Sequence, residues 1–251
     1  MTSTDDLLSV LKKLRLSGVL HTLPLRVRQA AEENLGQEEF LFRLLHDEAK
    51  RRDGKQLELR LGRANFEHDK TLEDFDFHFN PGVPRSVVID LATCQFVARH
   101  EVVLLVGAAG VGKSHLAQAL GHRAVRRGHT VFYTSATALF AQLRAARGDG
   151  SFDRRLLKYT SPELLIVDDL GLVPLRDDEP ADLYEVIRHR YERGAMIVSS
   201  NRALPEWPPL FNDALLASAA MDRLLHHAHV VEIEGESYRS SRRKPAVVAT
   251  A

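Results

Sequence analysis

The segment Gly107-Ala108-Ala109-Gly110-Val111-Gly112-Lys113-Ser114 constrains the fold more than any other part of the chain. It fits G-x-x-x-x-G-K-[ST], a loop that functions only between a buried strand and the first turn of a helix. Val102-Val103-Leu104-Leu105-Val106 precedes it and His115-Leu116-Ala117-Gln118-Ala119-Leu120 follows, so both flanks have the required character. Glycines at 107, 110 and 112 let the backbone curl until successive N–H groups converge on phosphate oxygens. The helix that begins near Lys113 aims its positive dipole end at the same point. Lys113 is then expected to meet the β- and γ-phosphates of ATP, and the Ser114 hydroxyl to ligate Mg2+. The rest of the cradle is Gly107, Ala108, Ala109, Gly110, Val111, Gly112 and the following His115.

Around this motif the chain changes character twice. Residues 1–68 read as helices throughout: Leu7, Leu11 and Leu14 recur at helical spacing, with Ser3 or Thr4 as a cap and Gly18 as a stop. Pro24 is expected to start a second helix running to about Asn34. A third begins near Gln37 with Phe40, Leu41, Leu44 and Leu45 on one stripe, and Gly54 is expected to interrupt it. Residues 69–84, with Asn80-Pro81-Gly82 inside, read as a linker. From 85 to 251 strands and helices alternate, the signature of an α/β fold with a parallel sheet covered on both faces. The expected strands are Val102–Val106, Val131–Thr134, Leu164–Asp168, Met196–Ser199 and Val230–Ile233. The expected helices are His115–Arg126, Leu139–Arg147, Ala181–Arg193 and Asp213–Leu225.

Bulk properties narrow the setting without deciding the function. Lys plus Arg equals Asp plus Glu at 34 each among 251 residues, so global charge carries no argument about nucleic acid. No apolar stretch is long enough to cross a bilayer, and the acidic start Met1–Asp6 lacks a signal-peptide core. Cys94 is the single cysteine, which points to a reducing, cytoplasmic setting and a buried thiol within an amphipathic helix Leu91–Val97.

Leu164-Leu165-Ile166-Val167-Asp168-Asp169 is a buried strand ending in two carboxylates, about fifty residues after the loop. Asp168 suits a water-mediated hold on Mg2+ and Asp169 the polarisation of an attacking water. Met196–Asn201 is a further strand with a small polar end, and Asn201 falls beside Asp169 if this strand neighbours the P-loop strand. Arg223, in Met221-Asp222-Arg223-Leu224-Leu225, has two readings: a local ion pair with Asp222 or a neighbouring acid, or a guanidinium presented to a neighbouring subunit's ATP. His226-His227-Ala228-His229 has no accompanying Cys or carboxylate at zinc spacing and reads as a solvated helix end. Arg239–Lys244 is a basic run, either a solvated tail or a phosphate contact. In the N-terminal helices Arg43, Lys50, Arg51, Arg52, Lys55, Arg60 and Arg63 outnumber Asp47, Glu48, Asp53 and Glu58. That face suits duplex phosphates or plain solvation equally well.

Taken together these segments resemble the IstB-like family of AAA+ ATPases, transposition helpers related to the DnaC helicase loaders. The resemblance rests on Leu11–Gly18, Glu32–Leu35, Phe40–Leu45, Lys70–Phe77, Leu165–Gly171, Ser199–Arg202 and, most specifically, Asp222–Arg239. It implies an AAA+ core with a helical domain before it and no C-terminal lid domain. It also implies double-stranded DNA and a transposase encoded alongside as partners, and a homo-oligomer with ATP at subunit interfaces. Carried onto matching positions, Lys113 and Ser114 bind phosphate and Mg2+, Asp168 holds the metal, Asp169 activates water, Asn201 is the sensor and Arg223 the finger acting in trans. Arg43, Lys50, Arg51, Arg52 and Lys55 become DNA-contact candidates. A helicase loader, a P-loop kinase and a nucleotide-gated scaffold are the competing readings. Two departures stand out: Asp169 where many AAA+ proteins have Glu, although the related helicase loaders share the Asp-Asp form, and Pro24 where these proteins often run an uninterrupted helix.

Overall fold

The computed structural model describes residues 4–241. By compactness the chain divides into two units, residues 1–59 and 60–251. This is earlier than the division expected after residue 68, and it falls inside a helix rather than in the 69–84 segment.

The first unit contains α1 (Thr4–Lys13), α2 (Ser17–Glu32) and most of α3 (Gln37–Ala64). Gly18 does not stop α1. The chain turns at Arg15, in the left-handed region at φ 57°, and Gly18 is the second residue of α2. The buried Glu48 carboxylate accepts from the Gly18 and Val19 N–H groups, taking the place of an N-cap, and a Cβ on Gly18 would meet its Oε2 at 2.7 Å. Pro24 does not start a helix either, because α2 runs straight through it. Leu20 and Leu23 pack on the small core of Leu11, Val19 and Leu44 ahead of the proline, and Arg26 pairs with Asp47 at 2.7 Å beyond it. Contacts on both sides thus offset the lost backbone hydrogen bond. Gly54 likewise leaves α3 intact; one exposed glycine costs about 1 kcal/mol among strong helix formers such as Lys50, Arg51, Gln56 and Leu57.

In the second unit come α4 (Arg85–Leu91), α5 (Gln95–Ala98), β1 (Val102–Gly107), α6 (Lys113–Arg126), β2 (Val131–Ser135), α7 (Ala136–Gly148) and α8 (Phe152–Thr160). These are followed by β3 (Leu164–Leu170), α9 (Glu179–Arg190), β4 (Ala195–Ser200), two 3-10 turns at Leu204–Glu206 and Pro208–Phe211, α10 (Ala214–Leu225), β5 (Ala228–Ile233) and α11 (Tyr238–Ser241). The strands form one parallel sheet in the order β2-β3-β4-β1-β5. The parallel P-loop AAA+ core expected from the sequence is present, with every expected strand found. The helix expected over Leu91–Val97 is instead broken at Cys94, which takes φ 60°, and its thiol is buried, which raises its pKa. Ser135 and Asp213 cap α7 and α10 by accepting from the Ala138 and Leu216 N–H groups. That cap starts α7 three residues before its expected beginning.

Arg190 binds the lower edge of the sheet together. It is 1% exposed, and its two terminal nitrogens donate to the carbonyls of Tyr159, Pro162, Glu163 and Ala195. Burial pushes its pKa down to about 10, so it stays charged at neutral pH. Arg190→Met keeps the volume but orphans four carbonyls, and we expect a loss of about 3 kcal/mol in urea unfolding. A change below about 1 kcal/mol would mean that the carbonyls find water.

Candidate functional site

β1 delivers the chain at Gly107 to the loop, and α6 begins at Lys113. Gly107, Gly110 and Gly112 take φ of 152°, 85° and 106°, all in the left-handed half of conformational space. Crowding reinforces this: a Cβ on Gly107 would lie 2.1 Å from the Ile233 carbonyl oxygen, and one on Gly112 would lie 2.8 Å from the Phe75 ring. Lys113 is buried and donates to the carbonyls of Gly107 (2.8 Å) and Ala108 (2.7 Å), which folds its ammonium over the loop.

Asp168 lies beside the loop at the end of β3, 3% exposed. Ser114 Oγ donates to its Oδ1 at 3.1 Å, Ser199 donates to the same oxygen, and Tyr133 donates to Oδ2 at 2.7 Å. A serine hydroxyl on the first turn of α6 facing a carboxylate is an oxygen-donor pair suited to Mg2+. The Asp169 N–H donates to Ser199 Oγ at 3.0 Å, and Asp169 takes φ 57° at an irregularity between Val167 and Leu170. β4 lies between β1 and β3, so Asn201, just past its end, reaches the same cleft as Asp169.

The cleft encloses about 610 Å³ and is lined by residues 109–115 with Asp169 and Asn201. Its other wall comes from the stretch read as a linker, with Phe75, Phe79 and Asn80, and from Tyr238 at the start of α11. Asn80 Nδ2 donates to the Val111 carbonyl, the Tyr238 N–H donates to that of Gly110, and Phe79 meets Tyr238 edge-on at 4.8 Å. The signal for this wall was the alternation of Phe75, Phe77 and Phe79, which a linker has no need of. His115 also lines the cleft; its Nε2 lies 2.9 Å from the Thr71 carbonyl, and burial holds its pKa below the ordinary value.

Arg223 lies elsewhere. It projects from the last turn of α10 into a second hollow at the amino ends of β1 and β4, shared with Arg99, Tyr191 and His226. Its guanidinium donates to the Ala219 carbonyl at 2.8 Å and stands 5.5 Å and 5.9 Å from the ring centres of Tyr184 and Tyr191. Among the described residues its hydrogen bond is to its own helix and not to Asp222. The fold also supplies the carboxylate missing from the histidine cluster: Glu192 comes within 4.8 Å of His226 and His227, all three exposed. Thirty-four residues separate Glu192 from His226, so spacing could not reveal it.

In the first unit Arg43 pairs with Glu33 and Glu39, and Arg51 and Arg52 pair with Glu48. Lys50 and Lys55 are exposed and without an ion pair among the described residues. The basic run Arg239–Lys244 extends past residue 241, and its arginine and lysine side chains lie outside the described residues.

A P-loop, an acidic strand end and a five-stranded parallel sheet define a nucleotide-binding AAA+ core. Residues 9–246 match the IstB-like ATP binding protein family, and the chain belongs to it. It is 40% identical, over its whole length and 93% of the relative's, to the insertion sequence IS21 ATP-binding protein of Pseudomonas aeruginosa. It is also 40% identical, over 94% of both chains, to an insertion-sequence ATP-binding protein of Mycobacterium tuberculosis. Among solved structures, DnaI superposes with a TM-score of 0.58 at 22% identity, over 66% of this chain and 92% of the other. AMPPCP-bound DnaA from Aquifex aeolicus gives 0.55 at 23%, over 68% and 52%. Among the described residues no helix is long and apolar enough to cross a membrane.

Gly112→Ala places a side chain at φ 106° and against Phe75, while the rest of the loop keeps its sequence. We expect ATP affinity, measured with a fluorescent analogue, to fall roughly tenfold or more while the circular dichroism spectrum holds. Unchanged affinity would show that the loop tolerates a Cβ at this position.

Proposed function

We propose that this protein is an ATPase that assembles on double-stranded DNA, with ATP between neighbouring copies, and assists a transposase encoded with it. The supporting observation is a polarity. The cleft lies at the carboxyl ends of the strands and Arg223 at the amino ends, which supports a role for the arginine at another chain's nucleotide. The insertion-sequence relatives support the transposase as partner.

In this reading Lys113 leaves its two loop carbonyls for the β- and γ-phosphates, which the loop N–H groups cradle. Ser114 and Asp168 would hold Mg2+, which would supply positive charge to offset that of the phosphates. Asp169 orients and polarises the attacking water, and Asn201 holds that water or senses the γ-phosphate. Arg223 of the next copy neutralises charge that grows on the leaving phosphate oxygens.

Turnover per subunit is expected to rise with protein concentration and with added duplex DNA. Arg223→Ala subunits are expected to bind ATP yet fail to hydrolyse it, and Lys113→Ala subunits to fail at both. Mixing the two restores activity where an intact cleft meets an intact arginine. A mixture as inactive as its components, in an ATPase assay at fixed total protein, argues against sharing between copies.

On the first unit, Lys50 and Lys55 are the cations of the basic face that owe nothing to a carboxylate, so they are the ones to reverse. Lys50→Glu with Lys55→Glu should weaken duplex binding equally across sequences and lower the salt slope by about one per lost phosphate contact. An unaltered slope assigns this face to solvent.

A further inference from the structure

Tyr133 has no part in the chemistry outlined above, yet it is 1% exposed, with its hydroxyl at the metal carboxylate. β2 and β3 pair in parallel with Tyr133 opposite Ile166 and Ser135 opposite Asp168. Alternation puts Ile166 and Asp168 on one face of β3, and an aromatic ring on the neighbouring strand can span the diagonal between them. The ring is held from behind: Asn65 Nδ2 donates to the Tyr133 carbonyl at 3.0 Å, and the Phe66 ring packs at 6.3 Å.

The phenol has one proton and two carboxylates within reach, Asp168 Oδ2 at 2.7 Å and Glu67 Oε2 at 3.4 Å. The shorter contact takes the proton. With Oδ2 pinned, the carboxylate cannot rotate about its own axis, and Oδ1 stays turned toward Ser114. Ser114 and Ser199 both engage Oδ1, so the hold on Oδ2 is left to Tyr133.

We propose that Tyr133 is a positioning residue that orients Asp168 for the metal, with Glu67 only a spectator acceptor. The inference rests on the assignment of Mg2+ to Ser114 and Asp168.

The test uses the full chain loaded with a non-hydrolysable ATP analogue, with Mn2+ as the metal and free Mn2+ read by electron paramagnetic resonance. Tyr133→Phe removes one oxygen and keeps the ring, so its thermal midpoint without nucleotide should stay close to that of the parent. Its Mn2+ affinity should fall roughly tenfold, the scale of one hydrogen bond to a buried charge. In turnover, kcat at limiting Mg2+ should drop while KM for ATP holds, and excess Mg2+ should restore most of kcat. A packing defect would not be rescued in this way. Glu67→Gln should leave Mn2+ affinity at the parental level.

Parental Mn2+ affinity in Tyr133→Phe overturns the inference, as does a Glu67→Gln loss equal to that of Tyr133→Phe. Asp168→Ala separates the two layers. If it too retains parental Mn2+ affinity, the metal assignment falls and takes this role with it. If it loses the metal while Tyr133→Phe does not, only the role of Tyr133 is lost.

Discussion

Everything at the site follows from one backbone curl that the rest of the fold must accommodate. Three glycines between β1 and α6 take conformations that other residues resist, and the space around them is filled by the β5 carbonyl of Ile233 on one side and Phe75 on the other. The loop is therefore clamped as well as permitted. Its clamps come from far along the chain, which is why residues 70–80 and 233–238 belong to the nucleotide cleft although neither carries a recognisable phosphate motif. A segment that looks like a connection by composition becomes a wall once the loop requires something to lean on.

The same dependence explains what the sequence revealed and what it hid. Local rules sufficed for the strands of the second unit, because a continuous apolar run such as Leu164–Val167 has one comfortable home in a parallel sheet. They also sufficed to place Lys113 and Ser114 at the start of α6, because the motif that ends with them is contiguous. They failed where a distant partner overrides a local preference. Gly18 reads as a stop until Glu48, thirty residues on, supplies the cap that starts a helix there. Pro24 reads as a start until packing on both sides carries α2 through it. Tyr133 reads as one apolar residue in a short strand until the pairing of β2 with β3 sets its hydroxyl against Asp168. Nothing in residues 131–135 alone could have announced that contact.

Charge tells a similar story in the helical unit. Counting lysines and arginines on α3 gives an excess, but Glu48 alone engages Arg51 and Arg52, and Arg43 is held by two glutamates. An arginine already paired must exchange a carboxylate for a phosphate, which gains little, whereas an unpaired lysine releases a counterion outright from the DNA. In the DNA-binding reading proposed above, the unpaired cations of this face are therefore fewer than composition suggests, with Lys50 and Lys55 among them.

The consecutive carboxylates pose a geometric problem that the fold solves at β3. In a regular strand Asp168 and Asp169 would point to opposite faces, and only one could serve the cleft. The irregularity between Val167 and Leu170, with Asp169 at φ 57°, breaks that alternation. Ser199 stabilises the break by donating to Asp168 while accepting from the Asp169 N–H. Asp169 then lines both the nucleotide cleft and the adjoining hollow beneath Phe140 and Leu175. A side chain re-aimed by its backbone needs less reach than one leaving a straight strand. An aspartate, one methylene shorter than glutamate, is therefore compatible with the proposed orienting of a water here.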